Sequence, residues 1–79
     1  LLVEVSDSTL THDRGVKLAA YARNDVPEYW LLDLQSSRLE VYRKPSGSTF
    51  LSRTILATGE VVAPICDPDA SIAVKDLLP

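Results

Sequence analysis

Apolar residues open the chain almost without a break: Leu1, Leu2, Val3 and Val5, interrupted only by Glu4. Such a run suits a central strand covered on both faces, and it predicts a first strand over residues 1–6. Asp7-Ser8-Thr9 then supplies turn chemistry. Thr11 suits a helix N-cap, and Asp13 falls in a first turn where its charge favours the helix dipole. A helix is predicted over residues 12–24. Its Val16, Leu18, Ala19, Ala20, Tyr21 and Ala22 spread round most of the circumference, which predicts packing on more than one side. Gly15 permits close approach of a neighbour. Asn24-Asp25 ends the helix, and Pro27 prevents its continuation.

The pattern then changes. EYWLLDL (28–34) and RLEVYRK (38–44) read as strands joined by the polar loop Gln35-Ser36-Ser37, an antiparallel hairpin. In the second of them Leu39 and Val41 share one face, and Glu40 and Tyr42 the other. Pro45-Ser46-Gly47 makes the next turn, and residues 49–57 a fourth strand. A turn at Thr58-Gly59-Glu60 leads to a short Val61-Val62 strand. Turns around Asp67-Pro68-Asp69 precede an edge strand over 71–74 and one helical turn over 75–78. The order of strand, helix, three or more strands and tail defines an α/β chain with a mixed sheet. One long helix cannot cover both faces of a sheet. A second layer is therefore expected from upstream sequence or from another chain.

Length and composition narrow the picture. Seventy-nine residues allow one small domain or part of a larger one. The chain lacks methionine and starts directly on strand-like residues, so we expect a C-terminal portion of a longer domain. No apolar run approaches the roughly 20 residues of a membrane helix, and the first residues lack the pattern of a signal peptide. No membrane partner is expected. Cys66 is the sole cysteine, which excludes an internal disulfide; we read it as a small buried hydrophobe in a reducing, cytoplasmic setting. The net charge of −3 does not advertise nucleic-acid binding, although a nuclease needs only a local basic groove.

Two residues stand out for chemistry. Glu4 points to the strand face opposite Val3 and Val5, where a carboxylate is either solvated at the sheet edge, paired, or holding a metal. Lys17 has Ala20, Tyr21 and Asn24 as helical neighbours; it is either a surface lysine with a buried stem or one wall of a pocket. A helix returning across the sheet after Ser6 brings its first turns over the strand end, where Lys17 and Glu4 can meet. Carboxylates and a backbone carbonyl can hold magnesium, and a lysine beside them can orient water or stabilise charge on phosphate. Other candidates are weaker. His12 reads as a surface or capping residue, Asp7 and Asp13 as dipole and turn residues, and Asp67 and Asp69 as turn residues. Tyr29, Trp30 and Tyr42 read as hairpin core.

The stretch LLVEVSDSTL…DRGVKLAAYARNDVPEYWLLDLQSSRLEVYR resembles the bacterial restriction endonuclease group labelled Uma-two, within the PD-(D/E)xK nuclease superfamily. The resemblance is strong over residues 1–44 and looser from TGEVV through PDASIAVKDLL. It implies a restriction-endonuclease-like α/β core with a mixed sheet and a Mg2+- or Mn2+-dependent site acting on DNA. On that resemblance Glu4 matches the second acid of the motif, and Val5 would lend its backbone carbonyl to the metal. Ser6 stands at the motif's lysine position, a departure, and Lys17 on the following helix fits the displaced lysine. The first acid lies upstream of Leu1 in the family, so these residues carry half of the implied site. The alternative is a non-catalytic α/β module that kept the fold and uses its sheet edge or helix for self-association or partner binding.

Overall fold

Two adjacent strands can run parallel only if a crossover returns the chain to its starting side, and here a helix does so. The computed structural model describes residues 1–6 and 11–78, with the backbone alone for 11–14. Strand β1 (Leu2–Ser6) leads to helix α1 (Thr11–Arg23), which returns the chain to β2 (Glu28–Asp33). β2 lies parallel to β1, with Glu4 opposite Leu31 and Val5 opposite Leu32. Strands β3 (Arg38–Ser46) and β4 (Thr49–Leu56) add antiparallel neighbours, giving a four-stranded mixed sheet in the order β1-β2-β3-β4. A small antiparallel ribbon follows, β5 (Val61–Val62) with β6 (Ile72–Ala73), and then the single turn α2 (Val74–Leu77).

Local chemistry sets the joints. Asp25 takes a left-handed conformation (φ 55°) just after α1. The Val26 N–H donates to the Tyr21 carbonyl and the Asp25 N–H to the Ala22 carbonyl, both at 3.1 Å. Those two bonds form a Schellman termination, and they fold Val26 back against the apolar cluster that includes Tyr21. Asn24-Asp25 thus ends the helix as expected. In the β2–β3 hairpin the Asp33 carboxylate accepts from the N–H groups of Gln35 (3.1 Å) and Ser36 (3.3 Å). That arrangement satisfies loop donors that the ladder leaves free. The turn expected at Pro45-Ser46-Gly47 falls later: β3 runs to Ser46, and Gly47 (φ 61°) takes the left-handed position a tight hairpin needs.

β2 forms the centre of the molecule, and every side chain from Glu28 to Leu32 is buried. Tyr29, Leu31 and Tyr42 face α1 and pack with Leu2, Leu18, Tyr21, Val26 and Phe50. On the opposite face Trp30, Leu32, Leu39 and Val41 pack against Val62 and Val74, with Ile72, Leu77 and Leu78 at the margin. Fully burying one such large apolar side chain stabilises the fold by about 1.5–3 kcal/mol. The chain's own tail therefore supplies a layer over β2 and β3 on this face.

That layer stops short of β1. Val3 and Val5 share a face with Trp30 and Leu32 yet remain 48% and 63% exposed. Among the described residues β1 pairs with β2 alone, and only its α1 face is covered. In α1 the second half packs closely, with Leu18 and Tyr21 in the apolar cluster on the sheet and Ala22 buried, while Val16 is exposed. No neighbour lies within contact of a side-chain carbon placed at Gly15, so close packing does not explain that glycine. Cys66 is exposed and not a core residue, because it sits in the turn-rich segment between Pro64 and Asp69. The readings of Asp7-Ser8-Thr9, and of the Thr11, His12 and Asp13 side chains, lie outside the described residues.

A buried carboxylate ties the tail to the sheet. Glu28, 2% exposed, accepts from the Trp30 indole N–H (2.8 Å), the Arg43 guanidinium (2.7 Å) and the Ile65 N–H (2.8 Å). Arg43 stands directly opposite Glu28 in the β2–β3 register and also donates to the Ala63 carbonyl (2.7 Å). Burial alone would raise the Glu28 pKa. The Ile65, Trp30 and Arg43 donors outweigh it and hold the carboxyl below its usual 4.5. A depressed native pKa gives stability that is fully present above the unfolded value and lost as pH falls through the folded one. Glu28→Gln should therefore cost about 3 kcal/mol at pH 7. The gap to wild type should close as pH drops below 4.5. Urea melts at pH 7 and pH 3 check this, and a gap that stays constant or widens in acid would contradict it.

Candidate active site

The helix crossover sets Lys17 above the edge strand. In β1, Leu2, Glu4 and Ser6 alternate onto the α1 face, since their partners in β2 are Tyr29, Leu31 and Asp33. Lys17 and Tyr21, four residues apart, project from the same side of α1. They meet Glu4 there. The Lys17 ammonium lies 3.4 Å from Glu4 Oε2, with the lysine side chain 53% exposed and the glutamate 26% exposed. The predicted juxtaposition of Glu4 and Lys17 is thus present in the structure.

Two partners of Glu4 were not foreseen. The Tyr21 hydroxyl donates to Oε1 in a short hydrogen bond. The Tyr29 hydroxyl donates to Oε2 at 3.3 Å. Tyr29 is a diagonal neighbour of Glu4 across the β1–β2 ladder, a reach that suits an aromatic side chain. The Tyr21 hydroxyl is the main influence holding the Glu4 carboxyl below its usual range. Partial burial opposes it, and the Lys17 charge and the Tyr29 hydroxyl add to it. Glu4 is therefore a carboxylate at neutral pH. Both phenols stay protonated: the Glu4 hydrogen bond dominates for Tyr21, and burial for Tyr29.

The aromatic reading of the hairpin holds, with an addition. Tyr29 and Tyr42 face one another in register and stack with ring centroids 5.8 Å apart, while Tyr21 tilts onto Tyr29 at 4.9 Å. Tyr42 donates to the buried Glu40 in a short hydrogen bond, and Arg53 lies 3.6 Å from the same carboxylate. The sequence singled out neither Glu28 nor Glu40 for a buried role. Their burial shows only when Arg43, Arg53 and Tyr42 are set beside them by the strand register. Asp67 and Asp69 are turn residues as expected, bonded through their backbones to Ala70 and Ser71 at 3.1 Å.

The Val5 carbonyl is placed by the ladder. The Ser6 carbonyl accepts from the Leu34 N–H at 2.8 Å, so Ser6 turns its backbone toward β2. Alternate residues of a parallel strand face opposite edges, and Val5 therefore presents its carbonyl to the free edge of β1. Glu4 and Val5 thus give one carboxylate and one carbonyl at the rim of the sheet. Those are hard oxygen donors of the kind magnesium takes, and magnesium commonly completes its six positions with water and phosphate. Among the described residues no group of three or more His, Cys, Asp or Glu converges to form a full cage. The donors fit such an ion in kind. A groove of about 550 Å3 lies on the other face, lined by Val41, Arg43, Leu56, Val62 and Pro64 among others. It holds neither Glu4 nor Lys17.

A mixed four-stranded sheet, a helix across its parallel pair and an acid–lysine pair at the edge are consistent with the restriction-endonuclease-like class of α+β domain. The family Uma2, described as "Putative restriction endonuclease", matches residues 1–75, and the chain belongs to that family, within the PD-(D/E)xK superfamily. No curated protein and no solved structure matches the chain. Among the described residues no helix is long and apolar enough to cross a membrane.

Proposed function

We propose that this domain serves a divalent-metal-dependent endonuclease hydrolysing phosphodiester bonds in DNA, with Glu4, Val5 and Lys17 in its site. The observation that carries the reading is the Glu4–Lys17 pair at 3.4 Å on the free edge of β1, in a chain of an endonuclease family. Glu4 and the Val5 carbonyl would hold Mg2+ or Mn2+. When bound, the ion polarises the phosphate and lowers the pKa of its water. Glu4 contributes the negative charge that keeps a hard cation at the strand edge. Lys17 sits beside it with its ammonium half in solvent, where it donates to the oxygens of a phosphodiester and stabilises the charge gathered there. Water would add to phosphorus and give its proton to solvent, the bond from phosphorus to the 3′ oxygen would break, and the departing 3′ oxygen would take a proton from solvent.

Supercoiled plasmid nicking by the natural full-length protein in Mg2+ or Mn2+ tests this. Glu4→Gln should abolish nicking, and Lys17→Ala should slow it by about 100-fold or more, the scale of losing one charge-stabilising donor. Thermal melts of both variants should stay near wild type, because an exposed ion pair contributes about 0–1 kcal/mol. Equal cleavage by wild type and Glu4→Gln would contradict the proposal.

A second reading has its own observation. Leu1, Val3 and Val5 are exposed, and among the described residues no strand pairs with the far edge of β1. An edge of that kind can join a second copy strand to strand. As a non-catalytic interaction module the protein would sediment as a dimer, with a melting temperature indifferent to Mg2+. A monomer across micromolar concentrations would rule this reading out.

A further inference from the structure

We propose that Tyr21 and Tyr29 are positioning residues that clamp the Glu4 carboxylate in one orientation for a divalent cation. The inference rests on the metal reading of Glu4 and assigns work to two residues that reading does not use.

The clamp has a side on each layer. Tyr21 comes from α1 and takes Oε1, while Tyr29 comes from the floor of the sheet and takes Oε2. A glutamate has three rotatable side-chain bonds, and on an edge strand it would sample several rotamers. Two donors on different oxygens leave it one arrangement. The donors are themselves fixed. Tyr29 is 1% exposed and is wedged between Tyr21 and Tyr42. Tyr21 is anchored by the helix termination, where its carbonyl accepts the Val26 N–H. Lys17, by contrast, is held by Glu4 alone among its described side-chain contacts and is half in water. The tyrosines therefore set the carboxylate, and the lysine remains free to follow substrate.

Neither hydroxyl is needed to hold its ring in place. Tyr21→Phe and Tyr29→Phe keep the stacking and lose only the donor. Tyr29 is the weaker half, because 3.3 Å is long for a bond from a hydroxyl donor. Groups that orient a metal ligand from behind commonly carry 10–100-fold in metal affinity. An ordinary packing tyrosine would carry none.

The test is Mn2+ binding to the natural full-length protein without DNA, followed by calorimetry, beside NMR scalar couplings that report the Glu4 rotamer in metal-free protein. Wild type should show one Glu4 rotamer and Mn2+ binding that Glu4→Gln removes. Tyr21→Phe should average the rotamer and weaken Mn2+ binding by about 10-fold or more, with a smaller loss in Tyr29→Phe. A wild type whose Mn2+ binding is absent or survives Glu4→Gln would overturn the metal reading. Glu4-dependent binding with wild-type affinity in both phenylalanine variants would overturn the clamp and leave the metal reading standing. Should Tyr21→Phe fail to fold, an already averaged Glu4 rotamer in wild type would overturn the clamp by itself.

Discussion

A strand covered on both faces has to be apolar or fully paired at every position, and β2 obeys that constraint from Glu28 to Leu32. Its apolar members accept a layer on each side: α1 over Tyr29 and Leu31, and the tail over Trp30 and Leu32. Its one charged member, Glu28, is matched by an indole N–H, a guanidinium and a backbone N–H. Leaving any of these donors or the carboxylate unpaired in such a place would cost more than the bonds contribute in water. The Glu28 arrangement thus decides where the tail can dock, and the tail in turn closes the core.

The same strand positions the candidate site. β1 docks parallel on β2, and that parallel pairing obliges the chain to cross the sheet face as α1. Glu4 therefore faces the underside of a helix, with Tyr29 of β2 within reach. Among the described residues no strand pairs with the far edge of β1, the edge toward which the Val5 carbonyl points. Rigid packing on one side and an open edge on the other suit a site that must hold ligands still and admit a long substrate.

Much of this was legible in the residues. The β2–β3 hairpin follows from two alternating strands around a polar loop, and Asn24-Asp25 marked the helix end. The meeting of Glu4 and Lys17 followed from the strand–turn–helix order, with Glu4 the one charge of the strand and Lys17 in the first half of the helix. Other features have no local signature. The run from Leu1 to Val5 reads the same for a doubly covered strand and for an edge strand, since only the extent of the tail layer distinguishes them. Val62, Ile72, Val74, Leu77 and Leu78 are too scattered to announce one layer. The tyrosine contacts to Glu4 span 17 and 25 residues, so their hydroxyls looked like core decoration. The 17/21 helical spacing did set Tyr21 beside Lys17, which was the available hint.

The account stands on Glu4 being a metal ligand, not an ordinary strand carboxylate. The most direct measurement is an anomalous difference map from crystals of the natural full-length protein grown with Mn2+. The expected result is a peak bound by the Glu4 carboxylate and the Val5 carbonyl. A well-occupied manganese elsewhere, with Glu4 still bonded only to Tyr21, Tyr29 and Lys17, would contradict it.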